Sequence, residues 1–334
     1  MKILNITNGD GAANTIKQST LPGDVLPWRD PMHHGPFPAG LSLSELGNLR
    51  AEYLAGPDAD ATDVKRDFQL RDRHLKAAPS YDKVTLWFEH DLLDQLQILQ
   101  LLDWFSRAPM EDTRLDMICI DQFDEKQDFK GIGQLDADQM ASLVPLQQPV
   151  TATMLALATA GWAAFRSSDP RDLLEFLDGD LRELPFLAAA LRRHCEEFPN
   201  AATGLTQTET QVLNLIGQNV CTPRELFLQN MDMETALFIG DWPTYQIIDT
   251  LCAASIAVCE PSPFRFPSLT SDAPPTFDEQ RVSLTEAGRR VLSGEGDAFG
   301  LMRHDGWLGG VEITSCDAIW TWNKDTAQFA RRTL

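Results

Sequence analysis

The order of apolar and polar positions predicts an α/β beginning. Residues 2–7, KILNIT, form a short apolar run. NGDGAANTIKQ follows, with two glycines and then helical spacing, so strand, turn and helix come in succession. GDVLPW (23–28) reads as a second strand, and KVTLWFE (83–89) is the clearest strand in the chain. That strand runs straight into HDLLDQLQILQLLDWF, where Leu92, Leu96, Leu99 and Leu102 recur at helical spacing. RLDMICID (114–121) reads as another strand, and 42–55 and 60–77 as polar amphipathic helices. Strands alternating with helices predict a mostly parallel sheet covered on both faces. Between the second strand and the first polar helix, WRDPMHHGPFP (28–38) holds three prolines and a glycine and predicts an irregular loop around a site.

From Thr151 the pattern turns helical, with segments at 151–165, 170–178 and 184–197. Past Gly204, LTQTETQVLNLIGQ places Thr206 as N-cap and Glu209 three residues on, a capping box. TPRELFLQN and GDWPTYQIIDTLCAA follow as helices, IAVCE as a strand, a proline-rich stretch as a wing, RVSL as a return strand and TEAGRRVL as a helix. That order is the order of a winged helix. WLGGVEITSCDAIWTWN predicts a closing hairpin. The expectation is therefore an α/β domain over 1–150 with the ligand site, a helical bridge over 151–200, and a winged-helix-like α+β domain over 201–334.

Charge narrows the partners. The 334 residues carry a formal net charge of -21. Such a balance repels nucleic acid and anionic membranes and favours solubility. The third helix of the winged-helix pattern carries Asp241 and Asp249, offers only Gln246 as a base reader, and has no Lys or Arg. DNA is thus disfavoured and a protein contact through the winged helix is expected, with Arg281, Arg289 and Arg290 near the wing as the dissent. The apolar stretch around Met154 is too short and interrupted to cross a bilayer. MKILNITNGD turns polar after one Lys and does not read as a signal peptide. The six cysteines, Cys119, Cys195, Cys221, Cys252, Cys259 and Cys316, include no CxxC pair and read as reduced thiols in a cytoplasmic protein.

In an open parallel sheet, ligands bind beyond the carboxyl ends of the strands. Asn8, Gly9, Asp10 and Gly11 follow the first strand; the glycines let backbone approach a ligand, and the next helix offers N–H groups to an anion. Asp10 is alternatively a simple N-cap. Trp28, Arg29 and Asp30, with His33 and His34, follow the second strand. Arg29 suits a phosphate or carboxylate, or equally an internal ion pair with Asp30 or Asp10. Glu89, His90, Asp94 and Gln95 follow the third. A helix starting at His90 or Asp91 puts His90 and Asp94 on one face, fit for a divalent metal or proton transfer. The alternative has Asp91 capping the helix and its neighbours solvated. Glu89, His90 and Asp94 are the candidate catalytic set; the others are candidate ligand contacts. The motifs specify neither metal nor cofactor. They fit a hydrolase or transferase acting on a small anionic, phosphorylated ligand, or else a non-catalytic ligand-sensing regulator or adaptor.

The succession ITNGD, LPWRDP..HGP, LWFEHDLLDQLQ, FKGIGQL, GLTQTE, GDWPTYQ, LTEAGRRVLSGEGD and WLGGV resembles an uncharacterised bacterial family, domain of unknown function eighteen-thirty-five, in its longer form with a helical extension. The resemblance implies two domains and the importance of residues 8–10, 28–36 and 89–95. It supplies no activity. The pair His33-His34 stands where a single basic or acidic position is expected.

Overall fold

The computed structural model describes residues 1–56, 60–110, 112–219, 221–267, 274–315 and 318–333. The chain forms two compact units: Met1–Leu191 with Trp307–Glu312, and Arg192–Gly306 with Ile313–Leu334. The helical stretch expected as a bridge is divided between them, most of it in the first. Among the described residues, no helix is long and apolar enough to cross a membrane.

The first unit runs β1 (Ile3–Asn8), α1 (Gly9–Gln18), β2 (Asp24–Trp28), β3 (Gly35–Pro36), α2 (Leu43–Ala55), α3 (Thr62–Lys76), β4 (Lys83–Glu89), α4 (Leu92–Phe105), β5 (Arg114–Ile120), α5 (Ala137–Ser142), β6 (Gln148–Pro149), α6 (Ala152–Phe165) and α7 (Arg171–Leu177). Helix α8 (Leu187–Cys195) spans the boundary between the units.

The main sheet has the order β2-β1-β4-β5-β6. Its first four strands are parallel and short β6 is antiparallel to β5. The β-branched and aromatic residues of β1 and β4 explain the pairing: both strands are buried on both faces, as central parallel strands must be. The chain leaves β1 towards β2 on one side and leaves β4 towards β5 on the other. Right-handed crossovers then place α1 and α4 on opposite faces, and a crevice opens between the ends of β1 and β4. On the α1 face, Ala12 and Ile16 pack with Trp87, Ile118, Ile120, Ile132 and Met140. Helix α4 is buried nearly all round, including Gln95, Gln97, Gln100 and Asp103.

The second unit runs α9 (Gln207–Gly217), α10 (Pro223–Met233), α11 (Asp241–Ala253), β7 (Ala257–Glu260), β8 (Arg281–Leu284) and α12 (Glu286–Ser293), with β7 and β8 antiparallel. Thr206 caps α9 with the expected capping box to Glu209. Leu213, Ile248, Leu251, Ile256 and Val282 form its core. The stretch between β7 and β8 lies partly outside the described residues, as does Cys316. The other five cysteines are free thiols.

The chain ends with β9 (Gly306–Gly309), β10 (Val311–Ile313), β11 (Ile319–Asn323) and β12 (Gln328–Arg332). The expected closing hairpin is displaced along the sequence: IWTWN pairs with QFARR, not with WLGG. Leu308 and Gly309 instead lie parallel to Gly35 and Pro36 in the first unit. Gly309 accepts from Phe37 N at 2.7 Å, and Gly310 N donates to the Phe165 carbonyl at 3.0 Å. A Cβ on Gly310 would collide with the Arg166 carbonyl, so backbone meets backbone only because the residue is glycine.

Candidate functional site

Three carboxylates converge where β4 ends. Oxygens of Glu89, Asp91 and Asp94 all lie within 4.8 Å of one another, and all three residues are buried. Local sequence explains the convergence. Glu89 is the last residue of β4, Asp91 is the N-cap of α4, and Asp94 sits in the helix's first turn. The Asp91 side chain accepts from Asp94 N at 3.1 Å, as an N-cap does. Asp94 turns back across the strand end and accepts from Glu89 N at 2.7 Å. The Asn8 amide, at the end of neighbouring β1, donates to Asp94 Oδ1 at 2.5 Å. The cluster therefore straddles the crevice between β1 and β4. Glu89 Oε2 accepts from Ile132 N. Gly131, at φ +156, leaves room for that carboxylate; a Cβ there would collide with it.

The electrostatics are one-sided. Burial pushes the Glu89 carboxyl up to about 8, helped by the neighbouring Asp91 charge. Burial also raises Asp91, to about 6, against hydrogen bonds that favour its charged form. Asp94 rises well above the ordinary carboxylate range, from burial and then from the charges of Asp91 and Glu89. Such a group either retains a proton or takes up a cation, since three buried carboxylates with oxygens within 4.8 Å of one another resist full ionisation.

The expected residues divide on inspection. Glu89, Asp94 and Asn8 lie together. Gln95 is buried beside them and holds the Glu89 carbonyl through Nε2 at 2.8 Å, a positioning contact. His90 precedes the helix, so it does not share a helical face with Asp94. Its ring instead faces Phe186, with centroids 6.0 Å apart. Asp91 is both cap and cluster member; reading it as the cap alone concealed its second part.

Gly9 has φ +60 and opens α1, and neither Gly9 nor Gly11 would bring a Cβ within 4 Å of another group, so this helix start is open. Asn8, not Asp10, occupies the N-cap position, and its side chain makes no cap bond because Asp94 takes it. Asp10 instead grips Arg29 in a two-point pair at 2.8 and 2.9 Å, and Asp67 takes the third nitrogen at 2.8 Å. Arg29 is thus the internal ion pair of the two alternatives. The Asp10 hydrogen bond raises the Arg29 pKa, and the same bond lowers that of Asp10.

Trp28 and Asp30, expected as ligand contacts, are fully buried with partners inside the fold. Trp28 donates to Gln100 Oε1 at 2.9 Å and lies under the Arg71 guanidinium at 4.2 Å. Asp30 Oδ1 accepts from Arg50 Nε and NH2 at 3.0 and 2.8 Å. Arg50 also donates to the His34 and Pro31 carbonyls, so it pins the loop after β2. Helix α4 helps: Gln97 Nε2 donates to the Trp28 and Asp30 carbonyls. His34 sits 3.2 Å from the Tyr53 hydroxyl, and burial lowers its pKa to about 4.

Sequence reading missed Arg50, Arg71 and Gly131. The two arginines lie within helices whose polar content suggested solvent exposure. Gly131 lies in FKGIGQL, a motif with no chemistry of its own. No protein-family model and no curated protein matches this chain.

Proposed function

We propose that the first unit binds a divalent cation at Glu89, Asp91 and Asp94 and, through it, a small anionic ligand on which it acts as a hydrolase or transferase in the cytoplasm. The observation that carries this reading is the convergence of three buried carboxylates at the crevice between β1 and β4. Oxygen-only donors suit magnesium, calcium or manganese. With Arg29 occupied, an anion near this cluster needs the cation's charge. The open start of α1, around Gly9 and Gly11, supplies backbone N–H groups for a phosphoryl oxygen. With the cation bound, Glu89, Asp91 and Asp94 are its ionised ligands, and the protons they hold without it are released on binding. Membership of the family that the motifs resemble belongs to this proposal and adds no activity to it.

The test is a manganese titration followed by electron paramagnetic resonance, with a screen of phosphate esters for phosphate release. Wild type is expected to bind manganese stoichiometrically and Glu89→Gln to bind at least roughly tenfold more weakly, the scale on which losing one good electrostatic partner acts. Equal binding by both proteins overturns the reading.

A second reading, the ligand-sensing adaptor, draws on the second unit. Its order α9, α10, α11, β7, β8, α12 supports a winged helix, and α11 carries Asp241 and Asp249 in place of basic readers. Leu228 and Met233 on α10 are 51% and 44% exposed, which favours a protein contact. Under this reading, Leu228→Asp abolishes capture of a partner while manganese binding persists.

A further inference from the structure

A cavity of about 140 Å³ opens beside the carboxylate cluster on the α4 side of the sheet. Its floor is Ile98, Met117, Met154 and Leu184, all buried. Leu146, at 53% exposure, stands at its mouth with Gln148 and Glu183. Among the described residues no Lys, Arg or His lines it, and Glu183 is its one carboxylate. An anion is therefore repelled at the mouth, and the four floor side chains offer an uncharged group apolar contact beside the Gln95 amide and the Cys119 thiol. Size limits the choice further, since an apolar cavity of about 150 Å³ holds one benzene ring. Two methionines on the floor adapt to an aromatic edge through their sulfurs.

Two residues of the lining touch the segment that carries the cluster. Gln95 lines the cavity and holds the Glu89 carbonyl at 2.8 Å. Phe186 forms a wall and presents its ring to His90, the residue between Glu89 and Asp91.

We propose that this cavity receives an uncharged apolar group, the size of one aromatic ring or a short branched aliphatic chain, of the small molecule whose anionic end is held at the carboxylate cluster. The inference rests on the reading of that cluster as the functional centre. It narrows the substrate class from small anions in general to aryl or branched-alkyl anions, and it makes Ile98, Met117, Met154 and Leu184 specificity residues.

The experiment uses the full chain labelled with methyl-¹³C methionine, with Met117 and Met154 signals assigned by Met117→Leu and Met154→Leu. Phenol is the first probe. Saturable shifts are expected for Met117 and Met154 and not for the remaining methionines. Leu184→Phe and, separately, Ile98→Phe fill the floor and should abolish the shifts while unfolding stays cooperative; either variant suffices if the other fails to fold. In the presence of manganese, phenyl, benzyl and phenethyl phosphate are then compared with inorganic phosphate. The best-fitting ester should bind roughly tenfold or more tightly, the order expected from burying part of a ring, and the filled variants should lose that gain. Absence of saturable phenol shifts, shifts that survive filling, or no gain for any ester overturns the proposal. If manganese fails to bind while phenol still shifts Met117 and Met154, the cation reading falls and the apolar pocket stands.

Discussion

Two clusters of buried charge, at the ends of β2 and β4 on either side of β1, are built on opposite principles. After β2, the Asp30 carboxylate is met by Arg50 in a two-point pair, with Arg71 NH1 at 3.9 Å from its other oxygen. The guanidiniums are themselves sandwiched: Arg50 against Phe37 and Tyr53, Arg71 against Trp28 and Phe68. After β4, Glu89, Asp91 and Asp94 have backbone N–H groups and one Asn8 amide, and no arginine among the described residues. The first arrangement neutralises charge within the fold and serves to hold a loop. The second leaves like charges facing each other at a cost to the fold, which proteins tolerate where a proton or ion is to be handled. Burial alone thus does not distinguish a structural carboxylate from a functional one; the partner's charge does.

That contrast has consequences of opposite sign. Arg50→Ala should cost the most, about 3–5 kcal/mol, because it strands a buried Asp30. Urea unfolding measures it, and the double variant Arg50→Met with Asp30→Leu should recover much of the loss. A cost below 1 kcal/mol would erase the distinction between the clusters. At the other cluster, manganese at a hundredfold excess over its dissociation constant should stabilise the fold by about 2.7 kcal/mol, and Glu89→Gln should remove that gain. Gly131→Ala comes next, at about 2 kcal/mol, since it combines an unfavourable backbone conformation with a collision against Glu89. Glu89→Ala in the same chain should relieve the part that comes from the collision.

The pH dependence is subtler. In the metal-free protein, the Glu89 carboxyl titrates near 8 in the fold and near 4.5 when unfolded. Between those values the folded state holds more protons than the unfolded one, so this group's contribution is full below about 4.5 and fades as pH rises towards 8. Thermal unfolding in chelator should show wild type losing stability from pH 5 to pH 8 faster than Glu89→Gln. Identical slopes would show that the carboxyl is not raised. The smallest effect belongs to Arg29→Gln. Its ion pairs are about 40–56% exposed and screened by water, so the change should stay under about 1 kcal/mol in urea unfolding.

Much of this architecture was legible in order and period. KVTLWFE is a strand over 83–89 as read, and the helical spacing after it yields α4. The rule that parallel sheets bind ligands at strand ends led to Asn8, Glu89 and Asp94. What period cannot show is who meets whom across the sheet. Asp10 and Arg29 both stand at strand ends, and only their mutual geometry shows that they satisfy each other. His90 shares a helical face with Asp94 only if the helix starts at His90 or Asp91; with Asp91 as N-cap, His90 lies at a bend before the helix. Arg50 looked like surface charge because helix α2 is otherwise polar, and nothing local reveals that Asp30 lies beneath it.

The return of Trp307–Glu312 to the first unit bears on how the protein is made. Gly35 and Pro36 find their strand partners only at Leu308 and Gly309. At synthesis rates of about 5–20 residues per second, that segment leaves the ribosome tens of seconds after β3. Throughout that interval, the loop pinned by Arg50 has an open edge and the nascent first unit lacks its last piece. A stop between residues 132 and 307 would release a chain with the carboxylate cluster fully encoded and the strand beside β3 missing. Completion of the pairing at β3 therefore waits on Gly309 and Gly310, whose missing side chains let the late segment approach residues 165–166.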